Sequence, residues 1–340
     1  MASKKNLLIG GSFDRGSFKE LSAGLSAYTN IYWLDELSAP ELEKLLPSIE
    51  CLLIGLWPHV LDEKRVSKMK NLRFIQVESA GVDRIPFKLL GKDVIVCSNS
   101  GSLSPYIAEH AWALILASAK KIIQFDAAIK KGVFEKATVP EFFKEKSMKG
   151  LVDDLPVMKD RTLGIIGYGS IGRQVAAIGR AFGMKIYAFG RSDATDAVMF
   201  QGEDGLLGML KQSDVVVSTI PLTSLTAGMI GAKELAAMKP HAILVNVSRG
   251  DIVKEADLYD HLSKNPRFTF ATDVWWYADG REPFSSRTPL LTLGNFIGTP
   301  HIAGFGGIAI STPAKPAVEN LLLYLKGSSP ANVIKRSDYA

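Results

Sequence analysis

The sequence predicts an α/β protein made of two doubly wound parallel-sheet domains. Three observations predict it. Short apolar runs alternate with segments of helical period along almost the whole chain, the pattern of strands covered on both faces by helices. The chain has 340 residues, and one domain takes roughly 100–200. A glycine-rich turn lies in the middle of the chain, at 167–172, so the α/β region before it belongs to a separate domain. The expected division is 1–102 with 305–340 for one domain and 103–304 for the other, the closing helix returning to the first.

Taken in order, strands are expected over 7–10, 31–34, 51–55, 74–77 and 94–98, with helices at 19–27, 41–46 and 63–69. A long helix starts at Ser104-Pro105, where serine can cap and proline suits the first turn, and is expected to run to Lys131. Residues 132–160 are charged, irregular and interrupted by Pro140 and Pro156, a surface excursion. Strand 163–166 follows, then a helix through Phe182 stopped by Gly183, then a strand ending before Gly190. Helices at 205–212, 232–238 and 257–264 alternate with strands at 214–219, 242–247 and 269–274. A strand at 295–298 and a helix at 312–324 close the chain.

Within 162–192 the order is strand, glycine turn, helix, strand, which is the βαβ unit of a Rossmann dinucleotide-binding domain. Gly167 permits the tight turn, Gly169 lets backbone approach a pyrophosphate, and Gly172 lets helix and strand pack closely. Tyr168, Ser170 and Ile171 complete a phosphate cradle at the positive end of the helix. The cleft between the two domains is the expected active site.

Composition narrows the partners. A net charge of +5, with no basic stripe interleaved with aromatics, argues against nucleic acid. The longest apolar helix, near 111–119, is far short of a membrane span, and the apolar stretch after the first lysines is too short for a signal peptide. A cytoplasmic protein with no membrane partner is expected. Cys51 and Cys97 lie in apolar runs and read as buried small residues; no Cys/His cluster has ligand spacing, so no metal is expected.

Three strands end in polar residues: Arg249 after 242–247, Asp273 on 269–274, and His301 after 295–298, with Glu282 on a loop between the last two. Ligands of open parallel sheets gather outside the carboxyl ends of strands. These segments occur with Glu78-Ser79-Ala80-Gly81-Val82-Asp83, with Asn99 and Ala108-Glu109, and with Pro221, Thr223 and Thr226. In that order, and over nearly the whole chain, they resemble the D-isomer-specific 2-hydroxyacid dehydrogenase family, in its glyoxylate/hydroxypyruvate reductase-like branch.

The resemblance implies an NAD(P)-dependent oxidoreductase passing hydride to the carbonyl carbon of a small 2-keto acid (glyoxylate, hydroxypyruvate, pyruvate or a similar acid), or the reverse. It implies a homodimer formed through the cofactor domain, with the helix after Ser104 involved. It implies roles as well. His301 is the acid/base beside the cofactor, and an imidazole's ordinary pKa of about 6.5 suits proton donation to a ketone oxygen. Glu282 partners it; Asp279 is a rival, because the stretch from Asp273 is longer than the family usually has. Arg249 clamps the substrate carboxylate and polarises the carbonyl. Backbone N–H groups of Ala80 and Gly81 hold that carboxylate from the other domain. Pro221, Thr226, Val247 and Ser248 line the cofactor, and Asp273 meets the nicotinamide carboxamide. Trp57 faces either the substrate or the core; Trp275, Trp276 and Tyr277 either wall the pocket or pack. His59, His110, His241 and His261 lack flanking motifs and read as structural or solvated.

NAD-binding versions of this unit place an acid at the end of the second strand, against the ribose 2′-hydroxyl. This chain has Gly190-Arg191-Ser192 there, and Arg191 and Ser192 suit a 2′-phosphate. Asp193 lies beyond the strand end and is expected to point away. NADP(H) is therefore the preferred cofactor, with NAD(H) possible. Two other readings share the architecture. A formate/phosphite-type dehydrogenase is one, and the family's formate branch typically carries glutamine where Glu282 stands. A non-enzymatic NAD(P)-sensing corepressor-like protein is the other, and retention of both Arg249 and His301 fits turnover better.

Overall fold

Strands buried on both faces read as apolar runs, and Leu7-Leu8-Ile9, Cys51–Ile54 and Val96-Cys97 are such runs, with Gln76 the buried polar exception in Phe74–Val77. The computed structural model describes residues 3–10, 24–55, 60–133, 155–278, 281–305 and 314–339. The chain divides into two compact units, Met1–Ser104 with Thr223–Leu225 and Gly304–Ala340, and Pro105–Leu222 with Thr226–Ala303.

In the first unit, Lys5–Gly10 (β1), Thr29–Trp33 (β2), Cys51–Ile54 (β3), Phe74–Val77 (β4) and Ile95–Cys97 (β5) pair in parallel, in the order β2-β1-β3-β4-β5. Side chains alternate between the two faces. Leu8, Leu52, Ile54, Ile75 and Val77 form one core with Leu42 of helix α1 (Ala39–Leu45) and Val66 of α2 (Glu63–Val66). Leu7, Leu53 and Phe74 form the other with Ala317, Val318 and Leu321 of the closing helix Ala314–Leu325. Phe74 stacks on Tyr324 at 4.2 Å, and Asn320 Nδ2 donates to the buried Gln76 Oε1 at 2.7 Å. Cys51 and Cys97 are buried and free, and burial pushes their thiols up to about 12 and about 11. Thiols that remain protonated at neutral pH are poor nucleophiles.

In the second unit, seven parallel strands run in the order β12-β11-β10-β9-β6-β7-β8. They are Thr162–Ile166 (β6), Lys185–Phe189 (β7), Val198–Phe200 (β8), Val215–Ser218 (β9), Ile243–Asn246 (β10), Thr269–Thr272 (β11) and Phe296–Gly298 (β12). From β6 the chain steps outward to β7 and β8, then crosses back to β9. The strand order therefore reverses between β6 and β9, and sheets of this kind take ligands outside the carboxyl ends at that point. Helices α3 (Ser104–Ala119) and α5 (Ser170–Ala181) cover one face, where Trp112 Nε1 donates to Val175 O at 3.0 Å. Helices α6 (Gly202–Gln212), α7 (Ala232–Ala237) and α8 (Glu255–Lys264) cover the other.

Several expectations need correction. The long helix is two: α3 stops at Ala119, Lys121 adopts a left-handed φ of 49°, and α4 runs over Ile122–Lys130. Lys120 Nζ is drawn to the Pro156 carbonyl at 2.7 Å, and neither glycine nor proline marks the break. The helix expected at 63–69 ends at Val66, where Met69 N closes a tighter turn onto Val66 O at 3.1 Å. Edge strand β8 has no counterpart in the expected elements. Most of the helix expected at 19–27 lies outside the described residues, and 24–28 form a turn. Trp57, His59, Asp279 and most of the 132–160 excursion also lie outside them. No helix of the described residues is long and apolar enough to cross a membrane, and no group of metal-ligating side chains occurs among them.

Candidate active site

The glycine turn 167–172 follows the end of β6. Gly167 has φ 93°, and a Cβ there would lie 2.9 Å from the Ile220 backbone. A Cβ on Gly172 would lie 2.3 Å from Gly167 O, so helix and turn meet without room for a side chain. A Cβ on Gly169 would meet nothing within 4 Å, so this edge of the turn is open to an approaching group. Gly169 caps α5 without a side-chain hydrogen bond, which leaves the helix's positive end for an anion. Thr219 Oγ1, beyond β9, pins the turn by donating to Gly167 O at 2.6 Å. These features fit a pyrophosphate. The Tyr168 side chain is buried beside the turn, its hydroxyl 2.9 Å from Asp196 Oδ2 and 2.8 Å from Arg180 Nη2, with Arg173 over its ring. Its side chain is taken up in this network, of which Asp196 is the anchor.

Past β7, Arg191 and Ser192 are exposed. The adjacent carboxylate, Asp193, accepts from Gln201 Nε2 at 3.0 Å. Beyond β9, Thr226 Oγ1 donates to Pro221 O at 2.7 Å; Thr226 is buried and Pro221 exposed. At the end of β10, Asn246 organises the turn. Its Nδ2 donates to Arg249 O at 2.8 Å, and its Oδ1 accepts from Ser248 Oγ at 2.7 Å and Ser248 N at 3.1 Å. Ser248 also meets Ser218 Oγ at 2.9 Å, and Val247 is buried. The turn presents Arg249 half-buried, with Nη1 donating to Ser248 O at 2.8 Å.

His301 follows β12 in a left-handed conformation, φ 53°, uncommon for a residue other than glycine and costing on the order of 1–3 kcal/mol. Asp273, at the end of β11 and 1% exposed, holds it there. Its Oδ1 accepts from Thr299 Oγ1 at 2.6 Å and Ile302 N at 2.9 Å, and its Oδ2 from Ala303 N at 2.7 Å. The sequence reading assigns Asp273 to the carboxamide; its partners in the structure show an anchoring role not foreseen. His110 joins it, with Nε2 2.9 Å from Thr299 Oγ1 and 3.4 Å from Asp273 Oδ1.

The anchored turn brings His301 Nδ1 to 3.0 and 2.9 Å from the two oxygens of Glu282. That carboxylate is 4% exposed and its Oε1 also accepts from Trp275 N at 2.8 Å. Burial would raise the Glu282 pKa, but the His301 hydrogen bond and charge, the Trp275 N–H and the Arg249 charge outweigh it and hold the carboxyl below its ordinary value. His301 Nε2 takes no protein partner among the described residues, and the side chain is 26% exposed. One ring nitrogen is thus oriented by a carboxylate, and the other is available to a ligand. Trp275 and Trp276 are buried, their indole N–H groups donating to Thr299 O at 2.9 Å and Val253 O at 2.7 Å, which makes them packing residues; Tyr277 is exposed.

In the first unit, the N–H groups of Ala80 and Gly81 take no protein acceptor among the described residues. Ser79 Oγ donates to Gly81 O at 2.7 Å, and Asn99 N to Ser79 O at 2.9 Å, which fixes the turn that carries them.

Residues 112–303 match the family model described as D-isomer specific 2-hydroxyacid dehydrogenase, NAD binding domain. The chain belongs to the D-isomer-specific 2-hydroxyacid dehydrogenase family. As a member it is an NAD(P)-dependent oxidoreductase of the 2-hydroxyacid class. It is 31% identical over 327 residues to a glyoxylate reductase of Aeropyrum pernix, covering 95% of this chain and 94% of the relative. It is 31% identical over 269 residues to a hydroxypyruvate reductase of Thermotoga maritima, covering 79% and 82%. A solved D-isomer specific 2-hydroxyacid dehydrogenase family protein from Aeromonas salmonicida superposes with a TM-score of 0.77 at 25% identity, covering 98% of this chain and 99% of that one. Asp196 has no counterpart among the residues singled out in the sequence, and its only signal there is a polar residue some way past a strand end; His110, expected to be structural or solvated, supports the Asp273–Thr299 turn of this dehydrogenase.

Proposed function

We propose that this dehydrogenase reduces a small 2-keto acid to the D-2-hydroxy acid with NADPH as the preferred donor, glyoxylate and hydroxypyruvate being the first substrates to try. The observation that carries the proposal is the His301–Glu282 pair at 2.9 Å, with Nε2 open and the Arg249 charge felt by the same carboxylate. The names of the relatives, glyoxylate reductase and hydroxypyruvate reductase, support the substrate class. The unit around β6–β12 takes the cofactor, and the unit around β1–β5 takes the substrate. The turn 167–172, Arg191, Ser192, Pro221, Thr226, Val247, Ser248 and Asp273 hold the cofactor, which when bound supplies the hydride. Arg249 pairs with the substrate carboxylate and draws charge from the adjacent carbonyl. The Ala80 and Gly81 amides take the same carboxylate. As charge develops on the carbonyl oxygen, the proton on His301 Nε2 passes to it, and ionised Glu282 stabilises the ring while it is charged.

The cofactor preference rests on Arg191 and Ser192 beyond β7, and on Asp193 being occupied by Gln201. NADPH is expected to give a kcat/KM at least about tenfold above NADH, about 1.4 kcal/mol; Arg191→Asp is expected to erase the difference. The measurement is absorbance decay with both reduced cofactors against a 2-keto acid panel and, in reverse, formate. Equal use of the two cofactors would remove Arg191 as discriminator. Formate oxidation without keto-acid reduction, or NADPH binding without turnover, would overturn the function itself.

We also propose a homodimer formed through this unit. Ile122, Ile123 and Ile129 of α4, with Val133 and Val157, expose apolar side chains from one region of the cofactor unit. Such a cluster is costly to leave in water, and a second copy would cover it. Light scattering on Ile123→Glu is expected to give half the wild-type mass; an unchanged mass would place the dimer contact elsewhere.

A further inference from the structure

The first unit holds a carboxylate that the proposed chemistry leaves unused. Glu78 directly follows β4, the strand between β3 and β5. Its backbone is tied on both sides: its N–H donates to Ile54 O at 2.8 Å, and its carbonyl accepts from Asn99 Nδ2 at 2.9 Å. Its side chain is half-buried and takes no hydrogen bond or ion pair among the described residues. Burial pushes the carboxyl up to about 7. Two other acids of this unit, Glu50 and Asp62, are paired, with Lys5 at 2.9 Å and with Arg65 at 2.8 Å.

Stability does not account for this group. A carboxylate taken from water without a partner costs free energy, and leucine would fill the same space without that cost. Binding a simple anion does not account for it either. Ala80 and Gly81 lie two and three residues further on, and a negative charge so close opposes a carboxylate held on their amides. A substrate carrying a cation at its far end resolves both difficulties. Residues 78–80 bend, so the span from Glu78 to these amides stays below the roughly 7–10 Å ceiling of two to three extended residues, within the reach of a short methylene chain ending in a guanidinium.

We infer that Glu78 is a specificity-determining residue that receives an ammonium or guanidinium at the end of a 2-keto acid's side chain while the acid's own carboxylate sits on the Ala80 and Gly81 amides. The inference rests on the keto-acid reductase reading given above.

The test compares three substrates at pH 8 with saturating NADPH: glyoxylate, 2-ketohexanoate and 2-keto-5-guanidinovalerate. In the wild type, kcat/KM for the guanidino acid is expected to exceed that for 2-ketohexanoate by about tenfold or more, the effect of one charge-assisted pair. Glu78→Gln and Glu78→Leu are each expected to bring that ratio to within about twofold of unity, mainly through KM. Glu78→Leu is expected to melt at or above the wild-type temperature. A ratio near one in the wild type, a ratio that survives in both variants, or a leucine variant melting well below wild type would each overturn the inference. Glyoxylate reduction with a ratio near one removes this inference alone, whereas inactivity on all three acids removes the reductase reading with it.

Discussion

His301→Ala is expected to lower kcat by about 10²–10⁴-fold, the range in which a positioned general acid contributes. The dissociation constant for NADPH should stay within about threefold, because the pyrophosphate cradle at 167–172 belongs to β6 and α5 and is not touched. Stopped-flow turnover and fluorescence titration of the same preparation separate the two quantities. Glu282→Gln should cost less than the alanine change. The amide can still accept the Nδ1 hydrogen bond made at 2.9 Å, but it supplies no negative charge to the charged ring. If His301→Ala kept most of its rate, the proton would come from another donor and the assignment would be wrong.

The second large effect is expected at Arg249. Hydrogen bonds to charged groups contribute about 1.5–3 kcal/mol each, and a guanidinium can make two to a carboxylate. Arg249→Ala should therefore lower kcat/KM by about 10²–10⁴-fold at 1.4 kcal/mol per decade. The loss should divide between a higher KM, from the missing clamp, and a lower kcat, from the less polarised carbonyl. Arg249→Lys should recover only part, since an ammonium keeps the charge and loses the planar fork. A loss confined to KM would mean that Arg249 binds the substrate without acting on its carbonyl. Circular dichroism guards against a folding defect, and the three Asn246 hydrogen bonds that organise the turn presenting Arg249 remain when the guanidinium is removed.

The positions of Arg249, Asp273 and His301 are legible in the sequence because each follows a short, mainly apolar strand (Ile243–Asn246, Thr269–Thr272 and Phe296–Gly298), and a parallel sheet puts all such ends on one edge. The glycine turn is legible for a similar reason: Gly167 takes a positive φ and Gly172 leaves no room for a Cβ, conditions that glycine meets best. What supports the site is not legible. His110 meets Thr299 across 189 positions, and Tyr168 meets Asp196 across 28, so nothing local announces either pair. The donors that fill Asp273 come from the turn it holds, and two of the three are backbone N–H groups that any residue would supply. The break at Lys121 is equally hidden, since the residues around it favour a continuous helix and a carbonyl 36 positions away draws on the neighbouring lysine. Glu78 is visible as a residue, but its isolation is visible only once its surroundings are.

The closing helix bears on how the polypeptide is made. Phe74 and Gln76 of β4 wait for Tyr324 and Asn320, which leave the ribosome more than two hundred codons later. Translation proceeds from the amino end, and domains generally fold as units when their parts are available. The seven-stranded unit is complete before Ala314 has been added, while one face of the five-stranded sheet has no cover until the last stretch of synthesis. A nascent chain therefore carries an unfinished sheet for most of its time on the ribosome, and the portion translated first is the last to be sealed.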